Sequence, residues 1–216
     1  MQTVSSVGSR VILVFSKAAE HGSVKTRLRP AINDDECLQL HLAMLQDTLE
    51  CCAASGAHVL LYLAGNSGLP FTVPPVRIQV NGDLGQRMKH AFQENLVSYR
   101  KVVIVGIDTP GLTPSILEEA FTSLDEHDLV LGPSEDGGYY LIGLRKMISE
   151  IFENVPWSTS EVLSRTLERI PPGSAHLLPR LWDVDHPADL LRLELQIGTM
   201  PQARHQRDWI AARRAR

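Results

Sequence analysis

Four short stretches of this 216-residue chain carry residue types and spacings suited to chemistry on a phosphate-bearing ligand. Residues 16–30 read SKAAEHGSVKTRLRP and concentrate Lys17, Lys25, Arg27 and Arg29 directly after an apolar run. Lysine offers a point charge and arginine a planar fork that matches phosphate oxygens. Gly22 would let the backbone come close to such a ligand. The stretch is neither a Walker loop nor a G-x-G-x-x-G turn, and a solvated basic loop would have the same composition. Residues 106–111 read GIDTPG and set Asp108 just beyond another apolar run, between Gly and Pro. A carboxylate there suits Mg²⁺, which takes one or two carboxylates and completes its octahedron with phosphate oxygens and water. An Asx turn or helix cap would look alike. Residues 132–140 read GPSEDGGYY and place Glu135 and Asp136 beside Gly137 and Gly138, where carboxylate and bare backbone can both meet a substrate. A plain hairpin turn is the competing explanation. Residues 182–187 read WDVDHP; Asp183 and Asp185 flank Val184 and face one side if extended, or cap the following helix.

These loops need elements to hold them. Val11–Phe15, His58–Leu63, Val76–Val80, Lys101–Val105, Leu129–Leu131 and Tyr139–Leu144 read as strands, mostly apolar and β-branched, with a further short strand near Leu177. Such runs suit strands buried on both faces. Helical spacing predicts helices over Asp34–Ala54 (Asp34 as N-cap, Gly56 as stop), Leu84–Val97, Thr113–Leu124 (Thr113 as N-cap, Pro114 at the first position), Thr159–Ile170 and Pro187–Ile197, the last started by Asp185 or His186. Strands alternating with helices argue for a doubly wound α/β sheet. In such sheets ligands bind outside the carboxyl ends of the strands, where the four stretches fall.

The composition is that of an ordinary globular chain, 44% hydrophobic and 21% charged, with a formal charge of −4. No global basic field draws it to nucleic acid or anionic lipid. Cys37, Cys51 and Cys52 form no CxxC pair, so reduced thiols are expected. The first residues lack a basic and apolar leader pattern, and no run approaches membrane-spanning length, so the expectation is a cytoplasmic protein with no membrane partner. One domain is expected over residues 1–200. Residues 201–216, rich in arginine, read as a basic tail, solvated, amphipathic or frayed.

The stretches VKTRLRP (24–30), NGDLGQRM (81–88), GIDTPGL (106–112), GPSEDGGYYLIGL (132–144), WSTSEVL (157–163) and DVDHPADL (183–190) together resemble the GT-A-like transferases related to 2-phospho-L-lactate guanylyltransferase. The resemblance spans nearly the whole chain. It departs from the pattern at His186, where Thr is usual, and at Ala19, where Pro is frequent.

The resemblance implies an α/β nucleotide-diphospho-sugar transferase (GT-A) fold, with a mostly parallel central sheet and helices on both faces. It implies that Lys17, Lys25 and Arg27 hold nucleotide phosphates and that Asp108 and Asp185 ligate Mg²⁺ or Mn²⁺. Asp136, Gly137 and Gly138 would line the acceptor or nucleotide pocket, and Asp83 and Arg87 would contact base, sugar or acceptor. Lys25, Arg27, Asp108 and Asp136 are then the catalytic set. The partners are a nucleoside triphosphate or NDP-sugar and a small-molecule acceptor, with no nucleic acid. Homo-oligomerisation stays open. Two enzymatic readings follow: nucleotidyl transfer to a phosphate or carboxylate, and glycosyl transfer with Asp136 or Glu135 as base. A third is a nucleotide-binding protein without turnover.

Overall fold

The computed structural model describes residues 8–66 and 68–215; residues 1–7, read above for a leader, and Ser67 and Arg216 lie outside them. In chain order the elements are β1 (Gly8–Lys17), α1 (Asp34–Ala54), β2 (His58–Ala64), β3 (Val76–Ile78), α2 (Leu84–Asn95), β4 (Tyr99–Val105), α3 (Pro114–Ser123), β5 (Leu129–Pro133), β6 (Tyr139–Leu144), α4 (Val162–Leu167), β7 (Ala175–Leu177), α5 (Pro187–Gln196) and α6 (Arg204–Arg214). The seven strands form one sheet in the order β3-β2-β1-β4-β6-β5-β7. All run parallel except β6, which is antiparallel to both β4 and β5.

The unbroken apolar runs are explained by helices on both faces. Alternate residues Ile12, Val14, Leu61 and Val103 pack with Leu45 and Leu49 of α1 and Leu117 and Phe121 of α3. Their neighbours Val11, Leu13, Leu60 and Ile104 pack with Met88, Ala91 and Phe92 of α2. β1 leads outward to β2 and β3, while β4 lies on its other side. The chain order therefore reverses between β1 and β4, and a crevice opens at their carboxyl ends.

Several boundaries differ from the sequence reading. Asn33, not Asp34, caps α1: its side chain accepts from Glu36 N while Glu36 reaches back to Asn33 N. The helix expected over Thr159–Ile170 keeps only Val162–Leu167, because Thr159 Oγ1 bonds Pro156 O and Glu161 N, a local turn that competes with helix. Thr113 does cap α3.

The arginine-rich end, read as a tail, folds from Arg204 as α6 and buries Trp209 and Ile210 against α1 and α5. The deciding contact lies far away in sequence. Ala203 offers α6 no capping side chain, and buried Asp47 of α1 caps it instead. Asp47 Oδ1 accepts from His205 N (2.8 Å), and Oδ2 accepts from Gln206 N and Gln206 Nε2 (both 3.0 Å). Asp47→Ala should lower stability by about 1–3 kcal/mol, through a lost cap and orphaned donors. Urea titration checks this, and an unchanged midpoint would mean that α6 docks by apolar contact alone.

Candidate active site

A cleft of about 610 Å³ opens at the β1–β4 crevice, a size that suits a nucleotide. Lys17, Lys25, Arg27, Asp83, Arg87, Asp108, Asp136, Gly138 and Asp185 all line it; Gly137 does not. Its centre is Lys25. This residue starts a short 3₁₀ turn in the left-handed conformation (φ 50°), which sends its side chain inward, where it is only 5% exposed. The ammonium lies 2.6 Å from Asp108 Oδ1, 2.6 Å from Val184 O and 3.6 Å from Asp185 Oδ1. Val184 N in turn donates to Asp108 O (2.9 Å), so the loop after β4 and the strand-like stretch before α5 are held together. Burial acts to raise the Asp108 pKa, but the charge and hydrogen bond of Lys25 outweigh it and hold the carboxyl below its ordinary value.

The other cations differ in what they are free to do. Arg27 reaches Asp185 Oδ2 at 3.3 Å from an exposed position. Arg29 turns away, pairing with Asp34 (2.7 Å) and bonding Gly22 O (2.7 Å), so it braces the loop. Lys17 is exposed at the end of β1 and makes no ion pair among the described residues. Arg87 donates Nε to Gly82 O (2.9 Å) and likewise has no ion pair among the described residues. Asp83 caps α2, its Oδ1 accepting from Gln86 N at 2.8 Å.

The Asp-Gly-Gly stretch is a turn as well as part of the cleft wall. Asp136 Oδ1 accepts from Ser134 Oγ and from Gly138 N. Gly137 (φ 91°) is pressed against the Ser160 backbone, where an added Cβ would lie 2.1 Å from Ser160 O, so its lack of a side chain serves packing. Glu135 faces away: it forms a two-pronged pair with Arg192 of α5 (2.7 and 3.1 Å), whose guanidinium stacks 4.4 Å over Trp182. Arg192 holds the Glu135 carboxyl below its usual pKa. His186 is exposed at the start of α5, outside the cleft. Asp189 Oδ2 accepts from His186 N and Asp185 N, which fixes the backbone that presents Asp185.

Three functional candidates carried little sequence signal. Asp183, seen only as a partner of Asp185, lines the cleft and accepts a hydrogen bond from Thr109. Its pKa is pushed up to about 6, by burial first and then by the charges of Asp108, Asp136 and Asp185, against the Thr109 bond. Buried His41 of α1 lies beneath the basic loop, its Nε2 3.2 Å from Ser16 Oγ and 3.3 Å from Lys17 O. Burial lowers its pKa to about 4, so it is a neutral prop for the end of β1. Its one signal was a histidine in a buried helical stripe. Gln79, beyond the short edge strand β3, also reaches the cleft.

The chemistry of the donor set suits a divalent cation: Asp108 and Asp185 share the Lys25 ammonium and Asp183 lines the same cleft, although the three carboxylates do not all come within 4.8 Å of one another. Hard carboxylate oxygens of this kind suit Mg²⁺ or Mn²⁺. Among the described residues the group that does bring its ligand atoms within 4.8 Å of one another is Asp47, Glu50 and His205, but those groups already hold α6 and each other.

The sheet order and the cleft at its switch point define the nucleotide-diphospho-sugar transferase fold. A protein from Desulfovibrio desulfuricans G20, proposed to be a nucleotide-diphospho-sugar transferase, superposes with a TM-score of 0.81 at 28% identity, over 94% of this chain and 97% of that one. Residues 31–159, more than half of the chain, match the family described as "Uncharacterized protein conserved in bacteria (DUF2064)", and the chain belongs to that family. The matched segment holds Asp83, Arg87, Asp108 and Asp136, while Lys17, Lys25, Arg27 and Asp185 lie outside it.

The 2-phospho-L-lactate guanylyltransferase of Methanocaldococcus jannaschii is 26% identical over 127 residues, 57% of this chain and 55% of the relative, so the match spans about half that relative's length. The 4-diphosphocytidyl-2C-methyl-D-erythritol synthase of Anaerococcus prevotii shares the fold (TM-score 0.59, 9% identity, 91% of this chain and 100% of that one). A Mycobacterium tuberculosis protein of this fold is known as a manganese complex (TM-score 0.52, 17% identity, 87% of this chain and 98% of that one). Among the described residues no helix is long and apolar enough to cross a membrane.

Proposed function

We propose that the chain is a divalent-metal-dependent nucleotidyltransferase, working as one domain on a nucleoside triphosphate and a small phosphorylated or carboxylated metabolite. The acceptor oxyanion attacks the α-phosphorus, the bond from that phosphorus to the α–β bridging oxygen breaks, and pyrophosphate leaves. An oxyanion needs no general base, so catalysis rests on positioning and charge neutralisation. The observation that carries this reading is the state of the carboxylates. Inverting glycosyl transfer to a hydroxyl requires a base, yet Glu135 is locked to Arg192 outside the cleft, and Asp136 has one oxygen, Oδ1, held by both Ser134 Oγ and Gly138 N. The guanylyltransferase relative supports the same chemistry.

In this reading Lys17 and Arg87, the unpaired cations, bind phosphate oxygens first. Lys25 and Arg27 stand beside the acids and turn toward the charge that develops on the leaving pyrophosphate. Asp108 and Asp185, backed by Asp183, would hold Mg²⁺ or Mn²⁺, which supplies neutralisation of the triphosphate when bound. His41 keeps the end of β1 in place without adding charge.

A thermal-shift panel of the four NTPs and common NDP-sugars, each with and without Mg²⁺, tests the assignment. An NTP at about 100 times its Kd should add about 2.7 kcal/mol, raising Tm by about 5–10 °C, and only with Mg²⁺ present. Stabilisation by an NDP-sugar alone would replace this reading with glycosyl transfer. Silence across the panel would leave a protein without nucleotide turnover.

A further inference from the structure

The geometry points to an acceptor whose body is uncharged and mainly apolar, seated on a wall of the cleft built by Leu84, Trp157, Ser158 and Val162. In the nucleotidyl reading above, on which this rests, the attacking oxyanion is then the acceptor's only charge. The wall is fixed at both ends. The indole of Trp157 lies against the first turn of α2, where a Cβ added to Gly85 would be 2.4 Å from the ring, so only glycine admits it. At the other end Leu163 N donates to Gly137 O (2.9 Å), and the Ser160 backbone packs on Gly137. The segment between them bridges α2 and the Asp-Gly-Gly turn and closes one side of the cleft.

The surface of this wall is largely apolar. Leu84, beside Gly85, lines the cleft yet keeps 42% of its surface exposed. A large apolar side chain left open on a cleft wall is covered when an apolar body lies on it. Val162 and half-buried Trp157 add two further apolar contacts. Thr159 spends its Oγ1 on Pro156 O and Glu161 N. Ser158, held in the left-handed conformation (φ 65°), has a hydroxyl with no partner among the described residues. The wall therefore offers apolar contact and one neutral hydrogen-bonding group.

Charge decides against a second anion. Lys17, Lys25 and Arg27 come from β1 and the loop after it, and Arg87 turns back onto Gly82 O. Among the described residues, those of the 157–163 segment that line the cleft include no Lys or Arg, and Arg165 beyond it is spent on Glu161 and Glu168. Asp83 and Asp136 flank the wall, each with an Oδ2 that meets no donor among the described residues. A carboxylate or second phosphate on the acceptor body would meet these like charges with no cation to offset them, and such juxtaposition rejects a partner. 2-Phospho-L-lactate, in the name of the Methanocaldococcus jannaschii relative, has a carboxylate beside its phosphate and is disfavoured by this wall.

The test compares probes that differ in that one charge. 2-Phospholactate and its carboxyl methyl ester, and succinate and its monomethyl ester, are titrated into the chain saturated with Mg²⁺ and the α,β-methylene analogue of the NTP that stabilises it, with tryptophan fluorescence as the signal. Each ester should bind about tenfold tighter than its parent acid. Trp157→Phe should lose most of the signal, although Trp182 and Trp209 remain. Leu84→Lys, which sets a cation at an exposed position of the wall, should bring each parent acid level with its ester. Parent acids that bind the native chain as tightly as their esters would overturn the assignment. So would a signal kept in full by Trp157→Phe, an unchanged preference in Leu84→Lys, or no binding of any probe at millimolar concentration. If NDP-sugars alone stabilise the chain, the nucleotidyl reading fails, and the same pairs titrated with the NDP still decide the wall. If no nucleotide of either kind binds, both fall.

Discussion

Asp108→Asn is expected to reduce turnover about a thousand-fold while leaving the fold intact. The loss corresponds to about 4 kcal/mol of transition-state stabilisation. It follows from position: Asp108 stands one loop beyond β4 at the switch point, with one oxygen on Lys25 and 46% of its side chain exposed to the cleft. Asparagine preserves the shape and an oxygen for the Lys25 ammonium but removes the charge that a divalent cation requires. Pyrophosphate release measured against Mg²⁺ concentration separates the outcomes. A variant that regains full activity at high Mg²⁺ has lost affinity alone, and one that is fully active throughout would remove Asp108 from the chemistry.

Lys25→Ala should be damaged in both function and stability. A solvent-facing phosphate ligand can be removed with little structural cost, but Lys25 is 5% exposed and lies between Asp108, Asp185 and the Val184 carbonyl. Its removal leaves Asp108 and Asp185 without their inner counter-ion. Breaking a fully buried pair costs about 3–5 kcal/mol. The partly exposed acids reduce that to about 1–3 kcal/mol, a fall in Tm of about 3–10 °C for a chain of this size. Nucleotide affinity should fall as well. The distinguishing measurement is Tm with and without Mg²⁺: the divalent cation should recover more stability in Lys25→Ala than in the native chain, because it takes over the neutralising position. A variant with native Tm and weakened nucleotide binding would make Lys25 a phosphate ligand only.

The same residue marks how far sequence carries. VKTRLRP identified a charged loop after β1, and the apolar runs with their flanking glycines and prolines determined nearly every strand and helix. Those features are local, since a strand buried on both faces must be apolar throughout and a helix must repeat its apolar residues every turn. Asp108 was legible for the same reason: in an open α/β sheet, the residue just past a buried strand is where ligands sit. Even a competing explanation proved partly true, because Asp136 organises a turn while also lining the cleft.

Tertiary structure decided which charges are spent and which are free. The sequence presents Lys17, Lys25, Arg27 and Arg29 as equals. Folding gives Arg29 to Asp34, sinks Lys25 between two acids and leaves Lys17 in the open. Glu135 and Asp136 are adjacent in sequence, yet one is bound to α5 and the other turned into the cleft wall. His41, Asp183 and Gln79 gained their places only when α1, the stretch before α5 and the β3 edge met the ends of β1 and β4. Asp47, one polar residue on a long helix, became the cap of another helix 158 residues away in sequence. The physical reason is common to all of these. Backbone pattern follows from neighbours along the chain, but the state of a charge or an amide follows from which donors and acceptors face it, and those come from distant segments.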